Sequence, residues 1–68
     1  MTKREPNPAL KIELIRRGMT QRQLAELLNV SPAAVSNWVT GWDRPNEYQA
    51  RRIAEVLRCR PEELGLAS

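Results

Sequence analysis

Sixty-eight residues leave room for a single hydrophobic core, since independently folding units begin near about 50 residues. One cysteine, Cys59, and no histidine exclude an intramolecular disulfide framework, Cys/His zinc sites and every histidine-dependent catalytic triad. Eleven basic against eight acidic residues give a net charge of +3, with arginine outnumbering lysine nine to two. The planar guanidinium fork suits phosphates and base edges, so this balance is mild evidence for a polyanionic partner, although genome base content alone also enriches arginine.

No apolar run exceeds four residues, too short for a secretory h-region or a membrane span, and the expected setting is soluble and cytoplasmic. A lone cysteine fits a reducing compartment, and Cys59 reads as a core or boundary residue rather than a nucleophile. Residues 1–7, which include Lys3, Arg4, Glu5 and Pro6, show no periodicity and read as a flexible arm. The rest, 8–68, is expected to form one domain.

Asn7 followed by Pro8 is a helix start, because the Asn side chain accepts an orphan backbone N–H and Pro tolerates the first helical position. The first helix should run over about 8–17 and end at Gly18, with Leu10, Leu14 and Ile15 on its inner face. Ile12 falls off that face, either as a boundary residue or as an exposed apolar spot. Thr20 with Gln23 is a capping-box pattern, and Leu24, Ala25 and Leu28 follow at one-face spacing, which predicts a second helix over 21–28. Asn29 tolerates positive φ, and only Val30 separates it from the next cap, Ser31, so the turn is very short.

Pro32 opens a third helix over 32–40, with Val35, Trp38 and Val39 spaced i, i+3, i+4 and Gly41 as its stop. Asn46 with Gln49 forms another capping box, after which Ala50, Ile53, Ala54 and Leu57 make the inner stripe of helix four. Arg60-Pro61-Glu62-Glu63 opens a short fifth helix with acids in its first turn, and Leu64 and Leu66 are placed to close the core. The fold class is therefore all-α, five short helices with tight connections.

Two helices joined by so short a turn let one enter a DNA major groove while the other braces it. The segment from Thr20-Gln21 through Leu24-Ala25, Asn29-Val30-Ser31, Val35 and Trp38 resembles the helix-turn-helix of the phage-repressor/Cro-like (XRE-type) DNA-binding family. The likeness runs from about Leu10 to Leu66 and includes Gly18-Met19-Thr20-Gln21, the Gly41 to Pro45 linker, and Ala54, Leu57 and Leu64. It implies a lambda-repressor-like DNA-binding domain. It also implies that Gln21 contacts a phosphate and that Ser31, Pro32, Ala33, Ser36 and Asn37 face base edges, with Thr40 near the flanking backbone.

Asn37 is the best base reader, because its amide can pair bidentately with adenine. Ser31 to Thr40 is uncharged, so readout would lean on Asn37, the serine hydroxyls, thymine-methyl contacts and DNA shape. Backbone attraction would come from Arg22, Arg44 and the arm residues Lys3 and Arg4. Many relatives also pair an arginine in helix one with a glutamate after the helix-three aromatic. Leu14 and Val39 stand at those places here, an apolar contact in place of an ion pair.

Trp38 lies on the core stripe, whereas Trp42 is placed to cover the core edge, join a dimer contact or lie along the sugar–phosphate backbone. The reading that follows is a transcriptional regulator, a repressor acting as a homodimer on double-stranded operator DNA, because one recognition helix covers only a half-site. An interaction module of the same fold, antitoxin-like or an adaptor, is the alternative, motivated by the bare surface at Pro32, Ala33 and Ala34. No cofactor, small-molecule ligand or membrane partner is indicated. Glu62 and Glu63 are adjacent and point apart, and the chain has no phosphate-cradling glycine loop, so an enzyme is not expected.

Overall fold

A computed structural model describes residues 6–66. The elements follow in the order α1 (Pro8–Arg16), α2 (Gln21–Leu28), α3 (Pro32–Thr40), α4 (Glu47–Leu57) and a single 3-10 turn (Pro61–Leu64). The all-α expectation holds for these residues, with a tighter fifth element than an α-helix. Between Pro61 and left-handed Gly65 (φ 66°) the turn is held by i→i+3 bonds such as Glu63 N–H to Arg60 O at 3.0 Å, and Leu66 N–H closes it on Pro61 O at 3.0 Å. The arm residues Lys3 and Arg4 lie outside the described residues.

Local chemistry sets the helix starts. Asn7, Thr20, Ser31 and Asn46 each accept a backbone N–H with the side chain, and Gln23 and Gln49 complete capping boxes by accepting from the Thr20 and Asn46 N–H groups, both at 2.9 Å. The stops use the left-handed region. Asn29 takes it at φ 58° and Gly41 at φ 88°; Arg58 does so at φ 54° with a full side chain, a strained choice for a non-glycine residue.

α2 packs on α3 and α4, while α1 meets α3 and the 3-10 turn. Leu10, Leu24, Val35, Ile53, Leu57 and Leu64 are fully enclosed, and Leu14, Ala25, Trp38, Val39 and Ala54 complete one buried cluster. Ile15 departs from expectation. It is 68% exposed, because at about 100° per residue it stands a full step beyond Leu14 and roughly 140° from Leu10. Ile12 is exposed as well, so its boundary reading gives way to the exposed one.

Asn7 does more than cap α1. Its backbone N–H donates to Val39 O at 2.9 Å and its Nδ2 donates to Leu64 O at 2.7 Å, while Oδ1 accepts from Leu10 N–H at 3.1 Å. One side chain thus joins the start of α1 to the end of the 3-10 turn, and its backbone reaches the end of α3. Asn7→Ala should therefore cost about 1–2 kcal/mol, the sum of a lost cap and a lost long-range bond. A urea melt checks this, and an unshifted midpoint would show that neither the cap nor the long-range bond adds to stability.

Candidate nucleic-acid interface

α3 divides into two opposite sides. Counting about 100° per residue, Ala33, Ser36, Asn37 and Thr40 fall within a narrow arc, and Val35, Trp38 and Val39 centre roughly on the other side. Val35, Trp38 and Val39 are buried; Ala33, Asn37 and Thr40 are exposed and Ser36 is half-buried. Ser31 and Pro32 are exposed at the start of the same helix. The three residues Asn29, Val30 and Ser31 between α2 and α3 produce this outward presentation, because Asn29 bends the chain left-handed while Val30 N–H returns to Ala25 O at 3.0 Å. Val30 itself packs against the core, which pins the bend.

The predicted residues differ in how ready their polar atoms are. Ser31 Oγ accepts from Ala34 N–H at 3.2 Å, which uses one acceptor site and leaves the hydroxyl proton for donation. Thr40 Oγ1 donates to Ser36 O at 2.9 Å, so a phosphate contact requires this hydroxyl to turn outward. Asn37 O accepts from Gly41 N–H at 3.0 Å and from Asp43 N–H at 3.2 Å. These bonds fix the linker onto the end of α3 and hold it in register with the Asn37 side chain.

On α2, Gln21 is half-buried and Arg22 exposed. Their backbone N–H groups stand in the first turn, with no helical carbonyl behind them, where a phosphate is well received. The capping box occupies Gln23 instead, which separates its role from that of Gln21. Arg44 is exposed, and its N–H donates to Asp43 Oδ1 at 2.8 Å. Asp43, which the sequence reading gave no role, thereby sets the linker geometry and also places a negative charge beside Arg44.

Burial pushes the Cys59 thiol up, against the pull of the neighbouring Arg17 guanidinium, and a raised thiol is a poor nucleophile at neutral pH. Among the described residues no three His, Cys, Asp or Glu side chains gather as a metal site, and no helix is long and apolar enough to cross a membrane.

Comparison with known proteins agrees with this geometry. A family model described as helix-turn-helix matches residues 10–64. The fold is similar to the crystal structure of the clp gene regulator ClgR from C. glutamicum, with a TM-score of 0.74 and 25% sequence identity over 82% of this chain and 73% of that one. No curated protein sequence matches.

Proposed function

This chain belongs to the XRE-type helix-turn-helix family of DNA-binding transcription regulators, and from that membership we propose that it is a repressor that binds operator DNA as a homodimer, with α3 in the major groove of each half-site. The observation that carries the reading is the exposed small-residue face of α3, turned away from the core by the Asn29 bend. Ala33 and Ser36 are short, so the helix axis can approach the base edges closely enough for the short Asn37 amide to reach them. Gln21 and the start of α2 would hold one phosphate, and Arg22 and Arg44 would attract others. Two-fold pairing supplies the second half-site that one helix lacks. Repression asks only for occupancy, the one property that these contacts serve.

A polarisation titration against random-sequence duplex at low salt, repeated across a salt series, tests the reading. Binding should weaken steadily with salt, and Arg22→Ala and Arg44→Ala should each lower the slope of log affinity against log salt by about 0.9, one displaced phosphate counterion apiece. Selection of duplexes from a random pool should return a two-fold symmetric consensus. The uncharged surface from Pro32 to Ala34 favours a second reading, an interaction module that keeps the fold without reading DNA. Absence of binding even at low salt would support that reading and end the first.

A further inference from the structure

We propose that the outer side of α1 is a docking surface for an amphipathic helix of a partner protein, one whose apolar seam is flanked by carboxylates; this surface is separate from the DNA interface and does not depend on it. Ile12 and Ile15 are 52% and 68% exposed, whereas the third isoleucine of the chain, Ile53, is fully enclosed. Single exposed apolar side chains are ordinary, but two at i, i+3 on one helix lie side by side as a ridge. β-Branched residues are also a mildly unfavourable choice on a helix surface, so neither packing within this chain nor helix propensity accounts for the pair.

Helical geometry fixes the direction of the ridge. At about 100° per residue, Pro8, Ile12 and Ile15 fall within an arc of roughly 60°, centred roughly 150° from Leu10 and Leu14. Pro8 is exposed like the two isoleucines, while Leu10 and Leu14 belong to the buried cluster that joins α1 to α3. The ridge therefore faces away from the helix that presents the DNA-reading residues.

Charge selects the occupant. Lys11 and Arg16 are exposed and lie roughly 70° to either side of the ridge, the places that flank the seam where two helices pack. Glu13, the one carboxylate of α1, stands roughly 130° from the ridge. It is already shared by Arg16 at 3.1 Å and Arg17 at 3.2 Å, and one carboxylate between two guanidiniums leaves the surface cationic. A second copy of the chain would set the same two cations against each other across a two-fold seam. A helix with leucine or isoleucine along its seam and glutamate or aspartate beside it matches both the ridge and its flanks.

The probes are two labelled synthetic peptides of about three heptads with leucine at a and d, one carrying glutamate at e and g and the other lysine, titrated by fluorescence polarisation. The glutamate peptide should bind, more weakly as salt rises, and the lysine peptide should not. Ile12→Ser and Ile15→Ser should each weaken binding roughly tenfold, while the melting midpoint and the affinity for random-sequence duplex stay at the parent's values, since both side chains stand in water. Lys11→Glu combined with Arg16→Glu should reverse the preference in favour of the lysine peptide. Equal binding of the two peptides, binding of neither, or binding that survives both isoleucine substitutions overturns the proposal. So does a loss of duplex affinity in the isoleucine variants, which would place the ridge in the DNA interface. Isoleucine-dependent co-sedimentation with phosphatidylglycerol vesicles would assign the ridge to anionic lipid, and dimerisation abolished by Ile15→Ser would assign it to a second copy; either result overturns the proposal. A parent chain that binds the glutamate peptide but no duplex at low salt would end the DNA-binding reading alone.

Discussion

Val39→Glu should remove a large part of the folding stability at neutral pH, and Leu14→Arg introduced beside it should restore much of it. Val39 is 8% exposed and Leu14 2%, and both belong to one buried cluster. A carboxylate placed there without a partner costs about 3–5 kcal/mol, the penalty seen when a buried ion pair loses one member. A domain of 68 residues holds roughly 3–10 kcal/mol of net stability at about 0.05–0.15 kcal/mol per residue, so one such charge removes about a third of it at the upper end of that range and all of it at the lower. The glutamate would also sit one residue from the end of α3, where the helix dipole disfavours negative charge. Burial raises the pKa of this unpaired carboxyl, so the penalty is full above the raised value and shrinks as pH falls through it and the group becomes neutral.

The double variant is the sharper test. Arginine at 14 and glutamate at 39 would recreate the ion pair that many family members carry, and a positive coupling energy in the double-mutant cycle requires that the two side chains meet. Thermal melts of the four chains suffice. Strict additivity of the two single costs would show that positions 14 and 39 do not touch, and the coupled replacement of the pair by an apolar contact would lose its physical basis.

Much of this fold is legible from the sequence because its instructions are local. Asn7, Thr20 with Gln23, Ser31, and Asn46 with Gln49 each act within three residues, and each cap forms as its spacing predicts. Asn29 was readable for the same reason, since its side chain tolerates the left-handed turn without help from the rest of the molecule. Features set by tertiary geometry were not legible. The Asn7 bond to Leu64 spans 57 positions, and no local pattern announces it. Arg58 ends α4 in the left-handed region without the glycine that would signal it.

The candidate interface divides along the same line. Helical periodicity separates the buried stripe of α3 from its exposed face, and that separation holds at Val35, Trp38 and Val39 on one side and at Ala33, Asn37 and Thr40 on the other. The direction of a hydroxyl is a different matter, as the bond from Thr40 Oγ1 to Ser36 O illustrates; it depends on a rotamer that residue type leaves open. The anchoring of the linker on Asn37 O is likewise invisible in sequence, because every residue has a carbonyl.

Asn37→Ala should remove one adenine preference from the selected consensus and weaken binding to that consensus by about 1–3 kcal/mol, the worth of a bidentate amide contact. Affinity for random duplex should change little, because phosphate contacts carry non-specific binding. The fold should be untouched: Asn37 is exposed, and the carbonyl that holds Gly41 and Asp43 belongs to the backbone, which alanine retains. This combination separates a base reader from a structural residue, since a structural role would lower the melting temperature and both affinities together. Asn37→Gln adds a further constraint. Glutamine carries the same amide one methylene further out, and on a helix whose small Ala33 and Ser36 side chains permit close approach it should clash or shift register rather than substitute. An alanine variant that selects the parental consensus would clear Asn37 of base reading and leave discrimination to Ser31, Ser36, thymine-methyl contacts and DNA shape.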